Sequence, residues 1–179
     1  MNDTIKTILS RQTIREYTSQ QVPDELLHVI IQSAIRSPSA RNTQPCHLRI
    51  TKNAELLDEM NTDFKNLVGW DTPAYTGYDV RPVYHNAPVF IFIFAENPDG
   101  MSAGLMAENI ALASHSLGLG SCMIGSLGAL FEDSEMSRKW KKILDIPEDW
   151  HFLLGISLGY PNEKPPFKTR EDGHVKFIG

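Results

Sequence analysis

Three separated stretches of this sequence hold groups that could do chemistry, and the chemistry they suit is binding rather than bond breaking. The first is Arg11-Gln12-Thr13-Ile14-Arg15. On an extended backbone Arg11, Thr13 and Arg15 point to one side. Two guanidinium groups around a hydroxyl suit a phosphate and its neighbours. A solvated charged patch following a helix is the competing reading. The second stretch is Ser37-Pro38-Ser39-Ala40-Arg41-Asn42-Thr43-Gln44-Pro45. Its Asn and Gln amides carry both donors and acceptors, as the edge of a flavin or nucleobase ring demands. They are also ordinary turn residues. The third is Pro165-Pro166-Phe167-Lys168-Thr169-Arg170, where Lys168 and Arg170 share one side of an extended tail. A charged terminal arm would look the same.

Other patterns are weaker. Gly155-Ile156-Ser157-Leu158-Gly159 matches G-x-S-x-G, but a nucleophile elbow needs a helix after its serine. Here Tyr160-Pro161 follows, with Pro165 and Pro166 beyond, so a core strand of small residues is expected. Gly118-Leu119-Gly120 lacks the third glycine of a dinucleotide fingerprint and follows a helix instead of preceding one. The six histidines are scattered, and the two cysteines, Cys46 and Cys122, form no CxxC pair. Neither a disulfide framework nor a cysteine-rich zinc site is expected, and no metal site is assigned. Cys46 and His47 are adjacent, so on a strand they would face opposite ways.

These stretches must be positioned by something. Asn2 to Ser10 suits a short helix. Pro23, Asp24 and Glu25 open a longer one, with Leu27, Ile30, Ile31 and Ala34 as its apolar face and Pro38 as its stop. Leu48 to Thr51 reads as a strand and Ala54 to Val68 as a helix carrying Leu56, Leu57, Met60, Phe64 and Leu67. Gly69 to Asn86 has no period and suits a lid or binding loop. Val89 to Phe94 is apolar on both faces, as in a central strand. Met101 to Leu117, capped by Asp99 and ended by Gly118, is apolar nearly all round, which predicts deep burial. Ser121 to Ile124 and Phe152 to Tyr160 complete the strands, with a helix around Met136, Trp140, Ile143 and Leu144 between them. Helices and strands mix without strict βαβ alternation, so the fold class is α+β or a mixed sheet.

The chain has 179 residues and a formal net charge of −5, with 41% hydrophobic and 22% charged residues. One domain over 1–179 is expected, large enough to bury its own core. The negative balance argues against general nucleic-acid binding. No signal peptide and no membrane span is read, and a reducing, cytoplasmic setting is the default.

Taken in order, the motifs resemble the FMN-dependent nitroreductase family over nearly the whole chain. Arg11 to Arg15 is similar to its R-x-[ST]-x-[RK] opening. Val22 to Leu27 followed by Pro38 to Pro45 resembles its P-S-x-x-N-x-Q-P stretch. Asn86-Ala87-Pro88-Val89 resembles its A-P-V strand, and Leu117 to Gly125 its G-L-G-S-C-x-x-G segment. Leu158 to Pro161 with Lys168-Thr169-Arg170 resembles its G-Y-P and K-x-R. Each motif alone is weak, but five in order make a strong signal.

The resemblance implies a central, mixed, mostly antiparallel sheet flanked by helices, with an extended C-terminal tail reaching the partner subunit. It implies a homodimer with FMN at the subunit interface. Arg11, Thr13, Lys168 and Arg170 would hold the FMN phosphate, while Gln12 and Arg15 would meet the ribityl chain and pyrimidine edge. Pro38, Ser39, Ala40, Asn42 and Gln44 would come from the other subunit. The N–H of Gly125 would lie near flavin N5 and O4. NAD(P)H would reduce the flavin, and an electron-poor small molecule such as a nitroaromatic or quinone would reoxidise it. Because the cofactor carries the chemistry, no catalytic side chain is assigned.

Three departures from the family pattern stand out, the first being that only a few residues lie between Phe94 and Met101, where longer members insert capping helices, so the pocket should be more open or be covered by Gly69 to Arg81. Cys46 follows Gln44-Pro45 where many members have Trp. Arg41 stands where a small or neutral residue is usual, which would favour anionic ligands in the substrate pocket. Arg81, or the loop around it, could contact the flavin or cover the pocket. A specialised reductase or dehalogenase, a flavin carrier or sensor, and a flavin-free structural dimer are the alternatives. Against the last, clustered cations without an anion repel each other.

Overall fold

The computed structural model describes residues 1–71, 82–171 and 173–179. The helices are α1 (Asp3–Ser10), α2 (Asp24–Ala34), α3 (Ala54–Val68), α4 (Gly100–Ser116), α5 (Gly128–Glu132) and α6 (Ser134–Ile143). The strands are β1 (His47–Thr51), β2 (Val89–Ala95), β3 (Gly120–Ile124) and β4 (His151–Gly159). They form one sheet in the order β1-β2-β4-β3, and every ladder is antiparallel. A single parallel bridge, Thr13 to Ser121, makes the sheet mixed at the β3 edge. The α+β expectation holds.

All seven residues of β2 are buried, as its sequence predicts. Alternation sends Phe90, Phe92 and Phe94 to one face and Val89, Ile91 and Ile93 to the other. The phenylalanines meet Leu57, Met60 and Phe64 of α3, Leu130 of α5 and Trp140 of α6. The aliphatic face meets Leu27 and Ile30 of α2 with Ala103, Met106 and Ile110 of α4. The sheet is thus sandwiched between two helical layers. Burying side chains of this size contributes about 1.5–3 kcal/mol each.

Gly155 lets Phe90 sit down, because a Cβ there would lie 2.5 Å from Phe90 Cζ. Ser157 is fully buried on β4, and its Oγ donates to Tyr84 O at 2.8 Å. This explains the G-x-S-x-G pattern as packing, with no helix after the serine.

Side-chain caps set the starts of the long helices. Asn53 Oδ1 accepts from Leu56 N at 3.2 Å, and Asp99 Oδ1 from Ser102 N at 2.9 Å. These bonds satisfy N–H groups that lack helical partners.

Three features differ from the sequence expectation. Helix α2 ends at Ala34, not at Pro38, because Arg36 N and Ser37 N turn back to Ser33 O and Ala34 O, tightening the chain into a turn. The short α5 has too little length to show a period. Helix α4 is buried on one side only: Met101 is 79% exposed and Leu105 41%. Its apolar girdle faces the sheet on one side and is open on the other. Among the described residues no helix is long and apolar enough to cross a membrane.

Candidate functional site

The segment after α1 runs along the free edge of β3. Ile14 N donates to Ser121 O at 3.0 Å. Ile14 is buried directly over Gly120, where a Cβ would come within 2.6 Å of Ile14 Cγ1. Any side chain at 120 would lift the segment off the sheet. With Ile14 facing inward, its neighbours Thr13 and Arg15 turn outward.

The chain leaving β4 then crosses the same segment. Thr18 N donates to Tyr160 O at 2.9 Å, and Asn162 N to Glu16 O at 2.8 Å. Tyr17 is buried, and its hydroxyl donates to Ile14 O at 2.6 Å. That burial pushes the phenol far above its ordinary range, so it stays a neutral donor. A Cβ at Gly159 would fall 2.6 Å from Pro88 Cδ and 3.1 Å from the Tyr17 ring, so the G-Y-P glycine is needed for this crossing.

The result joins two of the three stretches. Arg11, Gln12, Thr13 and Arg15 from one end of the chain, with Lys168 and Arg170 from the other, line one recess of about 340 Å³. Ile8, Leu9, Pro165 and Phe167 form its apolar walls. Arg11 Nε lies 3.8 Å from Glu108 Oε1 of α4. Gln12 is turned to the tail: its amide nitrogen, in the orientation the facing carbonyls require, donates to Pro166 O at 3.0 Å and Pro165 O at 3.2 Å. Next to the recess, Ser10 Oγ and His115 Nε2 are 2.8 Å apart. Burial, and secondarily the Arg11 charge, lowers the His115 pKa.

The remaining stretch, the second, lies elsewhere. Ser37, Pro38, Ser39, Gln44, Pro45 and Cys46 line a separate pocket of about 110 Å³ against Ser102 and Met106 of α4. Ser102 there and His115 beside the recess are about 20 Å apart along the helix axis at 1.5 Å rise per residue. Ala40, Arg41 and Asn42 form a one-turn 3-10 helix at the rim. Ser39 Oγ accepts from Gln44 N at 2.9 Å and closes the loop. Arg41, Asn42 and Gln44 all have left-handed backbones, with φ of 53°, 58° and 49°. That conformation costs roughly 1–2 kcal/mol for an ordinary residue and less for Asn. All three are exposed, and among the described residues Arg41 has no ion pair. Burial raises the Cys46 thiol pKa, so it is not a thiolate poised for attack.

Gly125 lies just past β3. Among the described residues nothing lies within 4 Å of where its Cβ would be, and its backbone is not left-handed. The fold itself does not call for glycine there. Arg81 and most of the loop expected to cover the pocket lie outside the described residues. No cluster of three or more His, Cys, Asp or Glu that could hold a metal occurs among the described residues.

One residue escaped the sequence reading. Glu163 Oε1 accepts from the backbone N–H of Arg15 and, at 3.2 Å, from that of Glu16. An acidic residue set between G-Y-P and K-T-R was the available signal, but a carboxylate-to-backbone bond leaves no periodic trace.

Similarity to known proteins extends over nearly the whole chain. The family model described as Nitroreductase family matches residues 8–160. An NADPH-flavin oxidoreductase of Vibrio harveyi is 27% identical over 98% of this chain and 72% of its own length. A nitroreductase with bound FMN from Desulfitobacterium hafniense superposes with a TM-score of 0.91 and 27% identity, covering 100% of both chains. A second, also with bound FMN, from Bacteroides fragilis gives 0.89 and 26%, again over 100% of both. The fold, the ordered motifs and the family match agree: this chain belongs to the nitroreductase family.

Proposed function

We propose that the chain is an FMN-dependent NAD(P)H oxidoreductase that works as a homodimer. The observation that carries this reading is the recess itself. Four cationic side chains and a threonine hydroxyl, drawn from opposite ends of the sequence, converge on one 340 Å³ space. That donor set fits a phosphate monoester dianion. The names of the relatives, which bind or reduce flavin, support the same assignment.

When bound, FMN would supply the hydride-transfer chemistry that links NAD(P)H to an electron-poor small molecule. The protein's own part is to bind and orient. Arg11, Thr13, Lys168 and Arg170 hold the phosphate. Gln12 and Arg15 border the sugar chain and the pyrimidine edge, and Arg15 fixes a positive charge where reduction adds a negative one. Gly125 offers an N–H to the ring, and the open space over its Cα admits a close approach. No side chain has to act as nucleophile, and solvent supplies protons.

The second half of the site comes from another copy. Within one chain, Pro38, Ser39, Ala40, Asn42 and Gln44 lie away from the recess. Helix α4 leaves Met101 and Leu105 exposed, and α1 and α2 add Ile5, Ile8, Leu9 and Val29. A groove of about 720 Å³ between these helices, lined by Ile8, Val29 and Leu112 among others, suits the same face of a second copy. The tail ends in Val175, Phe177 and Ile178, which are 65%, 94% and 90% exposed, and it reaches that partner. Two free cysteines suit the cytoplasm.

Arg41 selects the acceptor. Its exposed guanidinium, held on a left-handed turn, favours an anionic aromatic or the phosphates of the nicotinamide cofactor. Arg41→Ala raises KM for a carboxylated nitroaromatic about tenfold, as one lost charge-assisted bond implies, and leaves KM for its neutral counterpart unchanged. Equal values with both substrates would remove Arg41 from the pocket.

The direct test of the function is the visible spectrum of the purified protein, followed by NADPH or NADH without oxygen. A yellow protein that bleaches supports the proposal. A yellow protein that neither reductant bleaches would instead be a carrier or sensor. A colourless protein that takes up no added FMN would end the flavin reading.

A further inference from the structure

The cationic recess is built from two strands of chain that have no regular secondary structure of their own. Residues 11–16 make one parallel bridge to β3. Residues 161–170 are irregular apart from an isolated bridge between Tyr17 and Pro161. Lys168 and Arg170 are exposed on that arm, and nothing in their own segment fixes their direction. Four cations facing one space also repel each other, so the arm would swing outward unless tied.

Three ties are identifiable among the described residues. Gln12 holds the carbonyls of Pro165 and Pro166. Asn162 N reaches Glu16 O. Between them, Glu163 places one carboxylate oxygen on two successive backbone N–H groups, those of Arg15 and Glu16. It is the one charged side chain among these ties, and a charge-assisted bond is stronger than a neutral one. It also puts a negative charge beside the cations while its oxygen is spent on the backbone.

We propose that Glu163 is a positioning residue: by clamping residues 15 and 16, it aligns Lys168 and Arg170 with Arg11 and Thr13, so that the recess is shaped for a phosphate before the ligand arrives. This rests on the reading of the recess as the FMN phosphate site. Preorganisation of this kind raises affinity by removing the ordering cost from the binding step. The effect is therefore largest on the part of the ligand that carries the phosphate, with a smaller one through Arg15 on the part that riboflavin shares.

FMN and riboflavin differ by that phosphate alone, so the pair makes the test. The apo form of the full chain is titrated with each, following quenching of flavin fluorescence. Glu163→Ala is expected to weaken FMN binding by about ten- to a hundredfold and riboflavin binding, through the loosened Arg15, by no more than about threefold. Glu163→Gln, which keeps an oxygen acceptor for the two N–H groups, is expected to recover most of the FMN affinity. Amide exchange at Arg15 and Glu16 should speed up in Glu163→Ala and not in Glu163→Gln. Equal losses for FMN and riboflavin would mean general damage and would overturn the proposal, as would unchanged FMN affinity in Glu163→Ala. If the wild-type protein binds no FMN, the proposed function falls and this inference falls with it. If the wild type binds and the variant binds equally well, only Glu163 is at fault.

Discussion

The recess at residues 11–16 and 161–170 and the loop at 37–46 are built in opposite ways. The recess is stitched. Ile14 is pressed onto Gly120, Tyr17 is buried, and Gln12, Asn162 and Glu163 bind the crossing tail. The loop is strained. It spends three left-handed backbones within four residues and offers Arg41, Asn42 and Gln44 to solvent. A fold keeps such strain when its surroundings over-determine it, often at a binding surface. The recess is complete in one chain, whereas the loop presents groups that have little to meet until something covers them. That division is what a site shared between two copies requires.

The largest effect should come from removing charge at the recess. Arg11→Ala combined with Arg170→Ala deletes two charge-assisted contacts, each worth about 1.5–3 kcal/mol. FMN affinity should drop by more than about a hundredfold, with riboflavin affinity little changed and the remaining binding less sensitive to salt. Parallel losses for the two ligands would place the phosphate elsewhere.

Packing under the recess comes next. Gly120→Ala puts a Cβ 2.6 Å from Ile14 Cγ1. Overpacking of this kind costs about 1–3 kcal/mol, read as a lower denaturant midpoint at unchanged slope. Gly125→Ala meets open space and should leave stability within about 0.5 kcal/mol while weakening flavin binding. If both variants are equally unstable, Gly125 is a packing glycine and the distinction between the two fails.

The loop should respond in the other direction. Gln44→Gly relieves a left-handed backbone and keeps the Gln44 N–H to Ser39. The fold should gain up to about 1 kcal/mol, whereas FMN binding should weaken. A loss of stability instead would show that the loop is held by contacts and not under strain.

The smallest effect is with pH. Burial lowers the pKa of His115 and, on β1, of His47. The unfolded chain therefore binds more protons than the folded one at mildly acid pH. The stability these neutral rings contribute is fully present above the ordinary histidine pKa of about 6.5 and is lost as pH falls below it. His115→Gln should flatten part of that acid slope in urea melts. An unchanged slope would assign it to other groups.

Much of this architecture was legible in the sequence because it repeats or is punctuated. The unbroken apolar run of β2, the cap Asp99, and the apolar set of α3 all announce themselves. So does the every-other-residue placement of Arg11, Thr13 and Arg15. What stayed hidden has no period. Helix α5 is too short to show one. The left-handed backbones of Arg41 and Gln44 run against their residue types. Glu163 and Gln12 act on backbone groups that sequence does not display. The one-sided burial of α4 is hidden as well, because an apolar girdle looks the same whether its second face meets the core or another molecule.

The central claim is that one flavin site is made from the recess of one copy and the loop of another. The most direct measurement mixes two defective proteins. One carries Lys168→Ala and Arg170→Ala in the recess; the other carries Ser39→Ala and Asn42→Ala in the loop. Each alone should bind FMN poorly. After subunit exchange, a mixed dimer pairs the intact recess of the second with the intact loop of the first, so random pairing should restore about one site in four. FMN bound tightly at that level is the predicted result. Mixed dimers that form, as native mass spectrometry would show, and still bind no FMN would contradict the shared site.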